Sequence, residues 1–243
     1  MYPNAELVVL VRKYNYEIVK NLPYIDRIMK IDEYSQSDLI EKIAYFKADV
    51  FIALYNDSFV AKLARASKAK IKIGPISKLS SIFTYNKGVW QKRSKSIKNE
   101  GKYNLDLVRK LNKELYQKVY ELNTKLYYEE KHRNAAELFF KMNDIKGQAL
   151  VINPFIGGSA KNIKDEEYAN LIMNFKRRNP EVAVIITCHI SEEERGENLV
   201  KNSLEKGVYL YANGGELLNI AAIIDRADVY LGASTGPTHI AGA

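Results

Sequence analysis

The apolar positions of this chain fall into two successive series, in each of which short hydrophobic runs alternate with amphipathic stretches. Leu7-Val-Val-Leu-Val11 is apolar throughout, as a strand buried on both faces is. Residues 14–21 carry helical spacing that stops before Pro23, and Arg27-Ile-Met-Lys-Ile31 is a second strand candidate. Ser35 or Ser37 can cap a helix through Phe46 that keeps Leu39, Ile40, Ile43 and Phe46 on one face. Asp49-Val-Phe-Ile-Ala53 predicts a third strand, and residues 58–66 a helix with Phe59, Leu63 and Ala66 inward. Lys70-Ile-Lys-Ile73 alternates charged and apolar residues and predicts a half-exposed or edge strand.

The period then fails. Residues 74–101 form a basic, Ser-rich passage, and connections of that length are usually functional or mobile. Phe83 and Trp90 lie within it, so part of it is expected to pack down. Helices are predicted over 104–115 and 132–142, with no clear period over 119–128. The tyrosines at 116, 120, 127 and 128 read as packing residues, and His132, set among Lys and Arg, as solvent-facing. A second series starts at Gln148, with strands at 149–152, 182–187, 208–210 and 229–231. Helices are predicted over 165–177, 191–202 and 216–224, and one opens at Pro237. Strands alternating with helices imply parallel sheets in an α/β fold. The restart places domains at 1–115 and 148–243, joined by a connection over 116–147.

Charge changes this picture in one place. The net charge is +8, yet residues 62–98 alone hold eleven Lys/Arg and no Asp or Glu, so the remainder is slightly acidic. Such a segment could meet nucleic acid, an anionic membrane surface or an acidic acceptor, or be a solvated basic face. No nucleic-acid-binding motif accompanies the charge, so no nucleic-acid partner is expected. No run approaches the roughly 20 apolar residues of a membrane span, and the first twenty residues lack the apolar core of a signal peptide. One cysteine, Cys188, fits a reducing cytoplasm and reads as a buried structural thiol. Three dispersed histidines make no zinc set, and no metal or other cofactor is expected.

The candidate chemistry lies in the second series. Parallel sheets bind ligands in loops at the carboxyl ends of their strands. One such loop carries Gly157, Gly158, Ser159 and Lys161, a turn able to approach phosphate with a cation beside it. Another carries His189, Ser191, Glu192 and Glu193, whose carboxylates could accept from a ribose or a base. A third is Gly232-Ala-Ser-Thr-Gly-Pro-Thr-His239, small residues leading into a helix with Pro237 in its first turn. Backbone N–H groups there, with Ser234, Thr235, Thr238 and His239, can cradle an anion; an ordinary capped strand-to-helix connection is the other reading. Neither the phosphate-binding P-loop nor the dinucleotide fingerprint is present.

Ser234-Thr-Gly-Pro-Thr-His239 with Ile-Ala after it resembles the signature of the heptosyltransferase family, glycosyltransferase family nine. Asn153-Pro-Phe-Ile-Gly-Gly-Ser-Ala-Lys161 with Glu167 and Leu171, Asn99-Glu100 with Tyr103-Asn-Leu-Asp-Leu107, and Tyr2-Pro-Asn-Ala with Leu22-Pro-Tyr-Ile-Asp26 resemble the family in the same order along the chain. The resemblance implies two Rossmann-like domains of GT-B type, sugar nucleotide on the second and acceptor on the first, without a metal. It implies a heptose or related sugar transferred from a nucleotide sugar such as ADP-heptose, a substrate rather than a cofactor, to a lipopolysaccharide core acceptor. The protein would then be cytoplasmic, touching the inner membrane peripherally through residues 62–98. By position, Gly157, Ser159 and Lys161 would meet the phosphates, Thr235, Gly236 and His239 the diphosphate, and Glu192 the nucleoside. Ser234 stands where many members have Asp. The family pattern also begins with a strand and a Gly-Asp loop bearing the proposed general base, for which Met1-Tyr-Pro-Asn offers no counterpart, and it extends beyond Ala243. The expectation is therefore that both domains are incomplete, that no catalytic residue can be assigned, and that a catalytically inactive, nucleotide-binding remnant is the alternative to an active transferase.

Overall fold

The computed structural model describes residues 1–77, 79–121, 123–156, 163–233 and 235–243. By its internal contacts the chain divides into two units: residues 1–13 with 26–123, and residues 14–25 with 124–243. The helix after the opening strand, with the loop to residue 25, thus belongs with the second unit.

Unit 1 opens with β1 (Val8–Val11), from which α1 (Lys13–Val19) leads into the other unit before β2 (Arg27–Lys30) returns to pair β1 in parallel. Then come α2 (Gln36–Phe46), β3 (Val50–Ile52), α3 (Ser58–Ala66), β4 (Ile71–Pro75), the short α4 (Leu79–Ile82), β5 (Lys87–Val89), α5 (Glu100–Leu111) and α6 (Lys113–Val119). The helix starts follow side-chain caps: Ser35 accepts from the Asp38 N–H, Asp57 from Val60, Asn99 from Lys102 and Asn112 from Leu115. Met29, Leu39, Ile43 and Leu63 form the core against which Val8, Leu10 and Phe51 pack.

β4 is the centre of a parallel three-stranded sheet, β3-β4-β5, rather than an edge. The alternating lysines mislead because Asn86 completes the ladder before β5 begins. Its side chain accepts from the Lys72 N–H at 2.8 Å and donates to the Lys70 carbonyl at 2.7 Å. Part of the passage after β4 packs down, as expected, but not through its two named aromatics. Phe83 is 93% and Trp90 62% exposed, whereas Tyr85 and Gln91 are buried. The Tyr85 ring fills the space over Gly74, where a Cβ would stand 2.5 Å from it, and its hydroxyl donates to Asn56 at 2.7 Å. Gln91 donates to the Tyr103 carbonyl at 2.6 Å.

Unit 2 is built on a four-stranded parallel sheet in the order β8-β7-β6-β9. Its elements are α7 (Glu130–Met142), β6 (Ala149–Asn153), α8 (Asp165–Arg178), β7 (Ala183–His189), α9 (Glu193–Asn202), β8 (Val208–Asn213), α10 (Leu217–Asp225), β9 (Val229–Gly232) and α11 (Gly236–Ala241). Alternate residues feed two cores, as a strand's period of two requires. Leu150, Ile152, Val184, Ile186 and Cys188 meet Tyr168, Ile172 and Leu199 on one face. Ala149, Val151, Ala183 and Ile185 meet Ala136, Phe140, Ala222 and Ile223 on the other. The chain here runs outward through β6, β7 and β8 and returns with β9 on the far side of β6. In unit 1 it runs through β1 and β2 and then to β3, but among the described residues no backbone hydrogen bond joins β1 to β3.

His132 is fully buried, not solvent-facing. It sits in the first turn of α7, where its Nδ1 accepts from the Glu129 N–H at 3.1 Å, edge-on to Tyr128. Its Nε2 lies 3.4 Å from a Glu216 carboxylate oxygen without a hydrogen bond of good geometry. The surrounding basic residues point outward while the ring turns in, which charge composition alone could not show.

Candidate functional site

The carboxyl ends of β6, β7 and β9 lie side by side, with Ile152 paired to Ile186 and Asn153 to Gly232. Asn153 joins them. It is the one polar residue of an otherwise apolar, wholly buried strand. Its Nδ2 donates to both the carbonyl and the hydroxyl of Thr187, each at 3.0 Å, and its Oδ1 faces the Thr235 hydroxyl at 3.4 Å. A buried amide leaves no partner to chance, because an unmet donor costs about 1–3 kcal/mol. The amide therefore holds the end of β7 and the loop after β9 to the end of β6.

That loop is stiffened from within. The Thr238 hydroxyl donates to the Ala233 carbonyl, and Tyr230 shares a hydrogen bond with Thr238 at 3.2 Å. Pro237 is buried in the first turn of α11, as its fixed φ favours. Thr235 occupies the N-cap position with extended backbone, yet its side chain does not cap the helix; it turns to Asn153 and to the Ala233 carbonyl at 3.4 Å. Of the opening N–H groups of α11, Pro237 has none and those of Thr238 and His239 donate to the Thr235 carbonyl at 3.2 and 3.4 Å, so among the described residues only the Gly236 N–H is left to a ligand or to water. Gly236 is exposed there, and the Tyr14 hydroxyl stands over it, 3.4 Å from where a Cβ would project. Tyr14 arrives on α1, which Lys20 fastens to Glu129 at 3.0 Å and Asn21 to the Tyr127 carbonyl at 3.3 Å.

After β7, His189 accepts the Ser191 N–H on Nδ1 at 3.1 Å and pairs with the Ser191 hydroxyl at 2.8 Å. A neutral ring in that arrangement carries its proton on Nε2, the nitrogen that faces Gly215 across the next loop. Glu192 is half-buried between the short 3-10 turn at Ile190–Glu192 and α9. Burial first, then the charges of Glu192 and Glu193, push the Cys188 thiol up to about 11, so it is a neutral packing group. Arg195, on α9, forms a two-pronged pair with Asp165, both contacts at 2.6 Å, and its guanidinium lies 4.2 Å from the centre of the Phe155 ring. It thereby joins the residues on either side of the 157–162 stretch.

Four of the expected site residues are described. Thr235 and Gly236 come together with Asn153 and Tyr14, and His239 lies exposed on α11. Glu192 stands in the loop after β7, and among the described residues no hydrogen bond links it to the other three. Gly157, Ser159, Lys161 and Ser234 lie outside the described residues. Sequence reading overlooked Asn153, Tyr14 and Arg195 as site residues. A lone amide closing an apolar strand run was the available signal for Asn153; Arg195 and Tyr14 act at long sequence range and left none.

Comparison with known proteins agrees with this architecture. Residues 37–243 match the model of glycosyltransferase family 9 (heptosyltransferase). A Haemophilus influenzae protein named "Putative glycosyltransferase" is 27% identical over 99% of this chain and 71% of its own length. Among solved structures, the glycosyl transferase family 9 protein of Veillonella parvula aligns with a TM-score of 0.79 at 18% identity, over 98% of this chain and 70% of its own. The E. coli ADP-heptose lps heptosyltransferase II aligns with a TM-score of 0.73 at 14% identity, over 100% of this chain and 74% of its own. The parallel α/β units described above are the fold those structures share with it. With its family model matched over most of its length, the chain belongs to glycosyltransferase family 9, the heptosyltransferase family.

Proposed function

We propose that unit 2 binds a nucleotide sugar, ADP-heptose or a close relative, and that the protein serves in transfer of that sugar to a lipopolysaccharide core acceptor. The observation that carries this reading is the Asn153 junction, which gathers three strand ends and presents Thr235 and Gly236 at the opening of α11. In parallel sheets that end is where ligands sit, and the Gly236 N–H with the Thr235 hydroxyl beside it suits a diphosphate oxygen. Thr235, Gly236 and His239 would hold the diphosphate, with Gly157, Ser159, Lys161 and Ser234 completing the set by position in sequence. Glu192 would face the nucleoside. The sugar nucleotide is a substrate in this scheme, which assigns no role to a metal.

Unit 1 would receive the acceptor, and its basic 62–98 segment, along which Phe83 and Ile97 are exposed, would meet the anionic inner-membrane surface from the cytoplasm. Among the described residues no helix is long and apolar enough to cross a membrane. The test is a turnover assay with ADP-heptose and a heptose-deficient core acceptor. Heptose-extended product is expected; donor binding without product would restrict the protein to nucleotide-sugar binding, and neither would refute the reading.

A further inference from the structure

On the flank of unit 1, beside the edge strand β5, an open cavity of about 470 Å³ is lined by Gly88, Val89, Trp90, Asp106, Arg109, Lys110 and Lys113. α5 runs antiparallel to β5 here, since Lys87 reaches the Leu111 carbonyl while Gln91 reaches that of Tyr103. The cavity therefore faces the later half of α5 and the start of α6. Its position owes nothing to the loops of unit 2.

Two features of the lining point to a ligand. The first is Trp90, which lies on the surface although the indole is the largest apolar side chain available. The second is the charge balance. The single carboxylate, Asp106, is already paired with Lys98 at 2.7 Å and with Arg109 at 3.3 Å. Among the described residues Lys110 and Lys113 take part in no ion pair, so the wall carries uncompensated positive charge. An exposed indole face beside cations matches a ligand with one flat C–H face and one anionic group.

We propose that this cavity is a binding site for a phosphorylated saccharide, separate from the nucleotide-sugar site of unit 2. The pyranose ring stacks on Trp90, the phosphate is held by Lys110 and Lys113, and spare lone pairs of Asp106 accept from sugar hydroxyls. Among the described residues no amide side chain lines the cavity to read a nucleobase edge, which favours a sugar over a nucleotide. The preference for a sugar rests on the proposed function; the preference for an anion does not.

Trp90 is the only tryptophan in the chain, so its fluorescence reports this site alone. The full chain is titrated with glucose 6-phosphate, with glucose and with inorganic phosphate, exciting beyond tyrosine absorption. The expected result is a saturable change in Trp90 emission with the sugar phosphate, roughly tenfold weaker with either half alone, as the loss of one good contact implies. Lys110→Gln with Lys113→Gln should weaken it by at least that factor while circular dichroism and calorimetric ADP-heptose binding stay unchanged. Vesicles bearing a phosphorylated glycolipid, against phosphatidylglycerol vesicles of equal charge, identify the source: preferential retention assigns a lipid-borne headgroup, and its absence a soluble sugar phosphate. No emission change with the sugar phosphate, a response indifferent to the double substitution, or tighter binding of a single-stranded oligonucleotide would overturn the proposal. Failure of donor binding in unit 2 would leave the Trp90 response intact, so the two readings fail separately.

Discussion

The Asn153 side chain donates to both the carbonyl and the hydroxyl of Thr187, 34 residues further along the chain, at 3.0 Å each. This contact ties the ends of two parallel strands below the site, and the Thr235 hydroxyl meets the same amide from the third. Asn153→Ala should leave the Thr187 carbonyl partly unmet in a buried setting and loosen the Thr235 loop. The expected cost is about 1–3 kcal/mol of stability, read from denaturant midpoints. Donor affinity should fall roughly tenfold with it, read by calorimetry. Unchanged affinity in a folded variant would show that the junction does not organise the site.

Arg195 and Asp165 are partly exposed, so their pair contributes little to global stability, under about 1 kcal/mol. Its consequence should be local. Arg195→Ala is expected to keep the melting temperature within a few degrees and to weaken nucleotide-sugar binding, because Phe155 and Asp165 flank the stretch that includes Lys161. Arg195→Lys should rescue little, since a lysine cannot make the planar two-pronged contact. A large loss of stability with unaltered affinity would assign the pair to the fold instead.

Alkaline solution should destabilise the protein progressively, because burial raises the pKa of Cys188 and of several tyrosines, Tyr85 most and also Tyr128, Tyr168, Tyr211 and Tyr230. Burial lifts Cys188 from its ordinary 9.0 to about 11 and Tyr85 from 10.0 to about 12. Both are acids whose charged form the fold disfavours, so the unfolded chain loses its protons first and stability falls as pH rises. The Cys188 loss belongs between pH 9 and 11 and that of Tyr85 between pH 10 and 12. Denaturant midpoints should fall continuously across this range, and Cys188→Ala should remove the part of the fall that begins near pH 9. The native thiol should also react with a thiol reagent at neutral pH only after denaturation.

Gly74 and Tyr85 are fitted to one another, with no room for a methyl group between them. Gly74→Ala should displace the ring, strain its bond to Asn56 and cost about 1–3 kcal/mol, as overpacking does. A denaturant series checks this, and a neutral substitution would mean the ring finds another place.

Most of the strands could be read from the sequence because parallel strands are apolar without interruption, as at Ala149–Ile152, which is wholly buried. The same holds at Val8–Val11, which is only half-buried beside an exposed Leu7, contrary to the expectation of a strand buried on both faces. The helix starts could be read where a Ser, Asp or Asn cap preceded them. What could not be read depended on distant partners. The alternation at 70–73 predicts a half-exposed or edge strand; β4 is half-exposed at Ile71 and Lys72, but its central place depends on β5 and on the Asn86 side chain, 14 residues from Lys72. That part of the 74–101 passage packs down was legible from its aromatics, but not that Tyr85, over Gly74, rather than Phe83 or Trp90 would be the buried one. His132 looked wet among its charged neighbours, although the first turn of α7 rotates it inward. At the site, Thr235 and Gly236 were legible from their motif, whereas Tyr14 reaches Gly236 across more than two hundred residues of chain.

The central claim is that unit 2 holds a nucleotide sugar through its 157–162 and 232–239 segments. Calorimetric titration of the 243-residue chain with ADP-heptose, repeated on Lys161→Ala and Thr235→Val, tests it most directly. The account predicts one saturable site in the unaltered chain, weakened at least roughly tenfold by each substitution. Absence of binding to the folded chain, or affinity untouched by both substitutions, would contradict it.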